Sequence, residues 1–88
     1  MDIIALLLRL FMAGRYEMTD HALESMDEDL FELADLLPCL RTGRLRRAWP
    51  RIKKYEIDGR AVDGRWMRLV SRLVESGDLR IITVYEVH

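Results

Sequence analysis

Apolar and polar residues alternate through the last part of the chain in three runs separated by turn residues. The first run covers residues 53–62 and the second covers residues 65–74. Asp63-Gly64 stands between them and favours a hairpin, because both residues tolerate a positive φ. The third run, residues 79–87, is rich in β-branched and aromatic residues, which favour strands. These runs predict three antiparallel strands.

The alternation also predicts which side chains share a face of the sheet. In the second strand, one face is expected to carry Trp66, Arg68, Val70 and Arg72, and the other Met67, Leu69 and Leu73. In the third strand, Ile82 and Val84 are expected opposite Leu79, Ile81, Thr83, Tyr85 and Val87. Apolar groups on both faces indicate a central strand, or a strand covered on both sides.

The first half of the chain has helical patterns. Asp2 and Gly14 are typical of the start and end of a helix over residues 2–13, and Thr19 is a candidate N-cap for a second helix. A third helix is predicted over residues 27–37, which Pro38 should kink or end. Residues 44–54 are interpreted as a basic connection into the sheet.

These patterns predict one α+β domain over residues 1–88, with N-terminal helices packed on a C-terminal twisted antiparallel sheet of three or four strands. The first helix is apolar nearly all round. Another chain is therefore expected to cover part of this helix, either a second copy in a homodimer or a partner protein, with Ile4, Leu7, Leu8 and Phe11 at the interface.

The composition narrows the class of protein. The chain has a single cysteine, Cys39, which favours a reducing compartment and a cytoplasmic location. Arg9 interrupts the apolar opening, so neither an export signal nor a membrane span is expected. Residues with metal-ligand spacing and a glycine-rich phosphate loop are both lacking, so neither a metal nor a cofactor is expected.

The net charge of −1 hides a strong division along the chain. Residues 1–40 contain nine acidic and two basic side chains, whereas residues 41–72 contain eleven basic and three acidic ones. Such a basic region attracts polyanions or an acidic protein. The alternative is internal, since the acidic half can pair with the basic sheet.

The candidate chemistry is RNA cleavage without a metal, which needs a base, an acid and a cation beside the phosphate. His21 can exchange protons near neutral pH, Tyr55 or Tyr85 can donate a proton, and Arg68 can hold phosphate. Further candidates for RNA or partner binding are Arg46, Arg47, Arg51, Lys53, Arg60, Arg65 and Arg72. Each has a structural alternative: His21 can orient a helix, and arginines commonly line a solvated face.

The residues together resemble a small bacterial domain family, DUF4258. The resemblance covers nearly the whole chain and is most specific in Thr19-Asp20-His21-Ala22-Leu23-Glu24 and in Ile82-Thr83-Val84-Tyr85. Weaker matches are Gly43, Trp49-Pro50, Tyr55, Gly59 and Asp63-Gly64. The family is grouped with RelE/ParE-like toxins, so the resemblance implies helices on a twisted sheet, action on messenger RNA at the ribosome, and an antitoxin partner.

Two departures from the family pattern bear on that implication. Relatives usually carry arginine directly after His-Ala-Leu-Glu and again four residues later, where this chain has Ser25 and Asp29. If those arginines contact phosphate in relatives, this chain has weakened or lost the contact. Two hypotheses follow. One is a toxin-like endoribonuclease or translation inhibitor; the other is a non-catalytic module that binds nucleic acid or protein.

Overall fold

The computed structural model describes residues 2–88 and contains three α-helices and a five-stranded mixed sheet. The helices are α1 (Ile3–Met12), α2 (Asp20–Glu28) and α3 (Leu36–Thr42). The strands are β1 (Tyr16–Met18), β2 (Arg44–Trp49), β3 (Lys54–Arg60), β4 (Trp66–Leu73) and β5 (Leu79–Glu86). Short 3₁₀ turns occupy Leu33–Asp35 and Pro50–Ile52. The predicted α+β class is confirmed.

The three predicted strands are present as β3, β4 and β5, joined by the two predicted turns. Gly64 and Gly77 have φ angles of +88° and +86°, which a glycine adopts without strain. The strand order is β1-β5-β4-β3-β2, so β4 lies at the centre and β5 is an internal strand. The local sequence therefore predicted the middle of the sheet.

The predicted count of three or four antiparallel strands is wrong, because β1 and β2 extend the sheet at its two edges. β1 pairs with β5 in parallel, so the sheet is mixed. β2 pairs with β3 and replaces most of the predicted connection over residues 44–54. Its side chains are exposed except for Trp49, which is half-buried. An edge strand exposed in this way needs no alternation of apolar and polar residues, so the hydrophobic pattern did not predict β2.

The predicted faces of the third strand are also wrong beyond Ile81. A register shift against β4 occurs where Ile81 pairs with Ser71 and Thr83 pairs with Val70, which leaves Ile82 as an extra residue. This β-bulge reverses the alternation, and Val84 is fully buried together with Leu79 and Ile81. The faces predicted for β4 are confirmed at Met67 and Leu69, which are fully buried, and at Arg68, which is partly exposed.

The helix predicted over residues 27–37 does not form. α2 continues to Glu28 and ends in a Schellman motif, in which Phe31 N–H donates to Met26 C=O and Leu30 N–H donates to Asp27 C=O. Leu30 takes the left-handed position at φ 57°, where glycine is usual. Pro38 then lies in the first turn of α3, where its missing N–H removes no helical hydrogen bond.

The core lies between the helices and one face of the sheet. α3 packs directly on β3, and a Cβ atom on Gly59 would overlap the carbonyl oxygen of Cys39. Only glycine permits this approach. Cys39 is fully buried in this core, and burial raises the pKa of its thiol to about 12.

α1 covers α3 and part of β5. Leu7 and Leu10 are buried, while Ile4, Leu8 and Phe11 pack against the core and remain partly exposed. Leu7, which was predicted to lie at an interface with another chain, is instead fully buried in the core of this chain, so that part of the prediction is wrong. The homodimer through the rest of the helix stays a prediction. None of the helices formed by the described residues is long and apolar enough to cross a bilayer.

Substitution of Leu30 by glycine should raise the free energy of unfolding by about 0.5–1 kcal/mol. The left-handed conformation costs a residue with a Cβ about 1–2 kcal/mol, part of which is offset by the greater unfolded-state entropy of glycine. The side chain of Leu30 has little packing to lose because the residue is 79% exposed. Urea denaturation measures the change.

The matched control is Leu33→Gly, since Leu33 is 49% exposed and lies in a 3₁₀ turn with ordinary backbone angles. This variant should be less stable than the parent. A loss of stability in both variants would contradict the conformational explanation for Leu30.

Candidate nucleic-acid interface

The candidate site is the face of the sheet turned away from the core, here named the open face. Side chains on β3 and β4 alternate, so that Ile57, Met67 and Leu69 enter the core while Asp58 and Arg68 point to the open face. Strand register and side-chain contacts place on this face Arg44, Arg46, Arg47, Trp49, Lys54, Glu56, Asp58, Arg60, Trp66, Arg68, Arg72, Arg80 and Tyr85. Cations outnumber carboxylates in this set.

Arg68 forms the centre of the open face. Its Nε and Nη2 donate to the two carboxylate oxygens of Asp58 at 2.7 Å and 3.1 Å, and its Nη1 donates to the Tyr85 hydroxyl oxygen at 3.3 Å. These hydrogen bonds to the Asp58 carboxylate raise the pKa of Arg68 above its usual range. Arg68 is therefore charged and held in one orientation, while the Tyr85 O–H can donate a hydrogen bond to another acceptor.

Two tryptophans on the open face are stacked with cations. The Arg60 guanidinium lies 3.9 Å from the ring centroid of Trp66. Trp49 is flanked by Arg47 and Lys54, at 4.8 Å and 4.7 Å from its ring centroid. Trp66 is 40% exposed and, with Arg44, Arg46, Asp58 and Val87, lines a groove of about 380 Å³. Aromatic rings beside cations are the elements that bind unpaired bases and their phosphates.

Other predicted cations extend the basic surface. Arg46 pairs with Glu56 at 2.8 Å, and Arg72 Nε donates to the Ile52 carbonyl at 2.9 Å. Arg51, Lys53, Arg72 and Arg80 contribute to a second open cleft of about 610 Å³, which Glu17 and Glu75 also line. The structure therefore brings most of the predicted binding cations to the open face or to its end.

Arg65 differs from the other predicted cations because it binds the helical side of the protein. Its guanidinium donates to the carbonyls of Asp29 and Leu30 and lies over the ring of Phe31. It also pairs with Asp63 and Glu86, and their hydrogen bonds raise its pKa. Arg65 thus caps the C-terminal end of α2.

The four predicted catalytic residues are not all brought together. Arg68 and Tyr85 meet on the open face, but Tyr55 packs against the core and His21 is exposed on α2. Tyr55 alternates with Asp58 along β3 and therefore points to the other face of the sheet. The histidine and the second tyrosine are thus separate from the arginine–tyrosine pair.

Ser25 and Asp29, where the family resemblance leads one to expect arginine, accept hydrogen bonds from the edge of β5. β1 stops at Met18, so the edge of β5 beyond Ile81 has no neighbouring strand among the described residues. α2 lies beside this edge, where the Ser25 Oγ accepts from Val84 N–H at 3.1 Å and an Asp29 oxygen accepts from Glu86 N–H at 2.7 Å. The only sequence signal was the i, i+4 spacing of two short polar side chains, which is too common to be specific.

The open face defines a class of protein: an α+β domain with a basic, aromatic sheet surface. The family described as "Domain of unknown function (DUF4258)" matches residues 18–86. The chain belongs to this DUF4258 family. No curated protein matches the chain, and no solved structure matches it.

Ser25→Ala should lower the free energy of unfolding by about 1–3 kcal/mol, because the substitution leaves a buried backbone N–H without an acceptor. Ser25 Oγ also donates to the Ala22 carbonyl and accepts from the Thr83 hydroxyl. Chemical denaturation should show a lower midpoint with an unchanged slope.

Ser76→Ala is the control, since Ser76 is exposed in the β4–β5 turn and should change stability by less than about 0.5 kcal/mol. Equal stability of Ser25→Ala and the parent would contradict a role for Ser25 at the edge of β5.

Proposed function

We propose that this DUF4258 chain binds single-stranded RNA on the open face of its sheet. The observation that carries the proposal is the combination of Trp49 and Trp66, each stacked with cations, on one surface with further arginines. Arginine and lysine attract the phosphates, and the tryptophan rings offer stacking surfaces for bases. Bases are available for stacking in a single strand and are hidden in a duplex, which favours unpaired RNA.

The ion pairs of the open face support different roles for its arginines in this proposal. Arg68 is neutralised by Asp58, so it fixes the shape of the centre and contributes little free charge. Arg44 and Arg47 are exposed and make no ion pair among the described residues, which leaves their charges for phosphate. These two arginines are therefore the ones that a binding test should change.

A toxin-like action is proposed as the biological consequence. An RNA-binding sheet can inhibit translation by occupying messenger RNA or a ribosomal surface, and the family resemblance supports a relationship to RelE/ParE-like toxins. The five-stranded mixed sheet and the helices between its strands differ from the arrangement expected of that group. The antitoxin that the family resemblance implies would need an acidic surface to cover the open face.

A second candidate function is RNA cleavage at the Arg68–Tyr85 pair. The specific observation is the 3.3 Å contact between Arg68 Nη1 and the Tyr85 hydroxyl oxygen, which joins a fixed cation to a proton donor. His21 lies on α2 and is separate from this pair, so the base expected from the sequence is not beside them. Binding therefore ranks above cleavage.

The binding proposal predicts that Arg44→Gln/Arg47→Gln weakens RNA binding on the order of tenfold at low salt. The slope of log affinity against log salt should fall by about 1.4, because each phosphate contact with a single strand contributes about 0.7. Fluorescence anisotropy with a labelled polyuridine of about twelve nucleotides measures both quantities.

Arg9→Gln/Arg41→Gln is the matched control. It removes the same charge from α1 and α3, outside the open face, and both residues are exposed. Equal loss of affinity in the two double variants would mean that only net charge attracts RNA, and the proposed interface would be wrong.

The cleavage candidate predicts that Tyr85→Phe abolishes strand scission and keeps RNA affinity within about twofold, because only the proton donor is lost. Gel analysis of the end-labelled RNA and growth after induction in bacteria follow the two effects. His21→Ala is the control and should cleave like the parent. Binding without scission by the parent protein would eliminate cleavage and leave RNA binding intact.

A further inference from the structure

A second groove lies on the helical side of the molecule, away from the open face. It has a volume of about 420 Å³ and is here named the acidic groove. Its apolar lining comes from Tyr16 and Met18 of β1, Leu23 and Met26 of α2, and Phe31 and Leu33 of the following turn. The RNA-binding proposal uses none of these residues.

The groove brings together apolar side chains that the fold leaves uncovered. Leu23 is 53% exposed, Leu33 is 49% exposed, and the neighbouring Leu30 is 79% exposed. Scattered exposed leucines are common, but a cluster beside a concave apolar surface is typical of a binding site. The groove therefore has the surface to bury apolar side chains of a ligand.

One wall of the groove is a free strand edge. Leu79 N–H donates to the Arg15 carbonyl, and Thr19 N–H donates to the Ile81 carbonyl. In a parallel pair, alternate residues face the partner strand, so the backbone groups of Tyr16 and Met18 face away from β5. Among the described residues no other strand pairs with β1. These N–H and C=O groups can receive another strand.

The charged side chains in and beside the groove are acidic, apart from Arg65, which lies over Phe31 and is paired with Asp63 and Glu86. Asp27 and Glu32 line it, and the exposed surface of α2 adds Asp20, Glu24 and Glu28. Residues 16–40 contain no lysine or arginine. Basic side chains therefore favour the entry of a segment into this groove, because an acidic segment would meet like charges along α2 and at Glu32.

We propose that the acidic groove binds an extended, cationic segment of a partner protein, in which apolar and basic residues alternate. The segment adds a strand to the free edge of β1, and its backbone bonds to Tyr16 and Met18. One set of its side chains enters the apolar lining, while the basic set reaches the carboxylates of α2. In strand addition, hydrogen bonds between main chains provide affinity, and the binding of alternate side chains in the groove provides specificity.

A second copy of the chain is the competing occupant. β2 is itself a basic edge strand containing Arg44, Leu45, Arg46 and Arg47. A register shift next to Arg46 bends this strand, and its cations point to the open face. Bulges and charges on an edge oppose pairing with another sheet, which favours a different protein as the occupant.

The test uses a short synthetic peptide of alternating valine and lysine, titrated by calorimetry into the full chain. Leu23→Ser and Asp27→Lys should each weaken binding on the order of tenfold, because one removes apolar lining and the other reverses a rim charge. Leu45→Ser is the matched control, since Leu45 is 43% exposed on the far edge of the sheet, and should bind like the parent.

Amide hydrogen exchange then distinguishes strand addition at β1 from binding through side chains alone. The bound peptide should slow exchange at Tyr16 and Met18, whose N–H groups face the free edge. No change at these two amides would overturn the proposal, and so would equal binding of a valine–glutamate peptide. Concentration-dependent self-association that Leu23→Ser abolishes would also overturn it, by assigning the groove to a second copy.

Discussion

The structure depends on how the edge of β5 is satisfied after β1 ends. A buried backbone N–H without an acceptor is costly, and past Ile81 β5 has β4 on one side but no strand on the other side among the described residues. Side chains of α2 fill the role of that strand, since Ser25 and Asp29 accept from Val84 and Glu86. This requirement fixes the position of α2 against the sheet. Arg65 then holds the end of the same helix, and the acidic groove forms between α2 and β1.

The parts of the fold that depend on neighbouring residues were predictable from the sequence. The hairpins around Gly64 and Gly77 follow from turn chemistry, and the faces of β4 follow from strict alternation. The same alternation placed Arg68 on a basic strip with Trp66, which became the open face. Tyr85 joined that strip because the bulge at Ile82 leaves it in register with Arg68.

Other features depend on contacts between residues distant in the chain, and local patterns carry no signal for them. β1 is three residues long and forms a strand only because it pairs with β5. Leu30 ends α2 in a left-handed conformation that usually requires glycine. Because no glycine marks this position, the sequence around it indicated a continuing helix. The missing family arginines at positions 25 and 29 pointed to a lost function. In the structure, the polar side chains at these positions instead accept hydrogen bonds from the edge of β5.

The separation of charge between α2 and the open face makes the molecule an electric dipole. The field of an approaching polyanion rotates such a molecule before contact, so that the basic sheet faces the polyanion and the acidic helix faces away from it. The two surfaces then do not compete for space. A cationic ligand bound at the acidic side would weaken the repulsion between that side and a distant polyanion. By thermodynamic linkage, a bound polyanion would favour binding of the cationic ligand by the same free energy. Two ligands of opposite charge would thereby assist each other across the domain without any change in its shape.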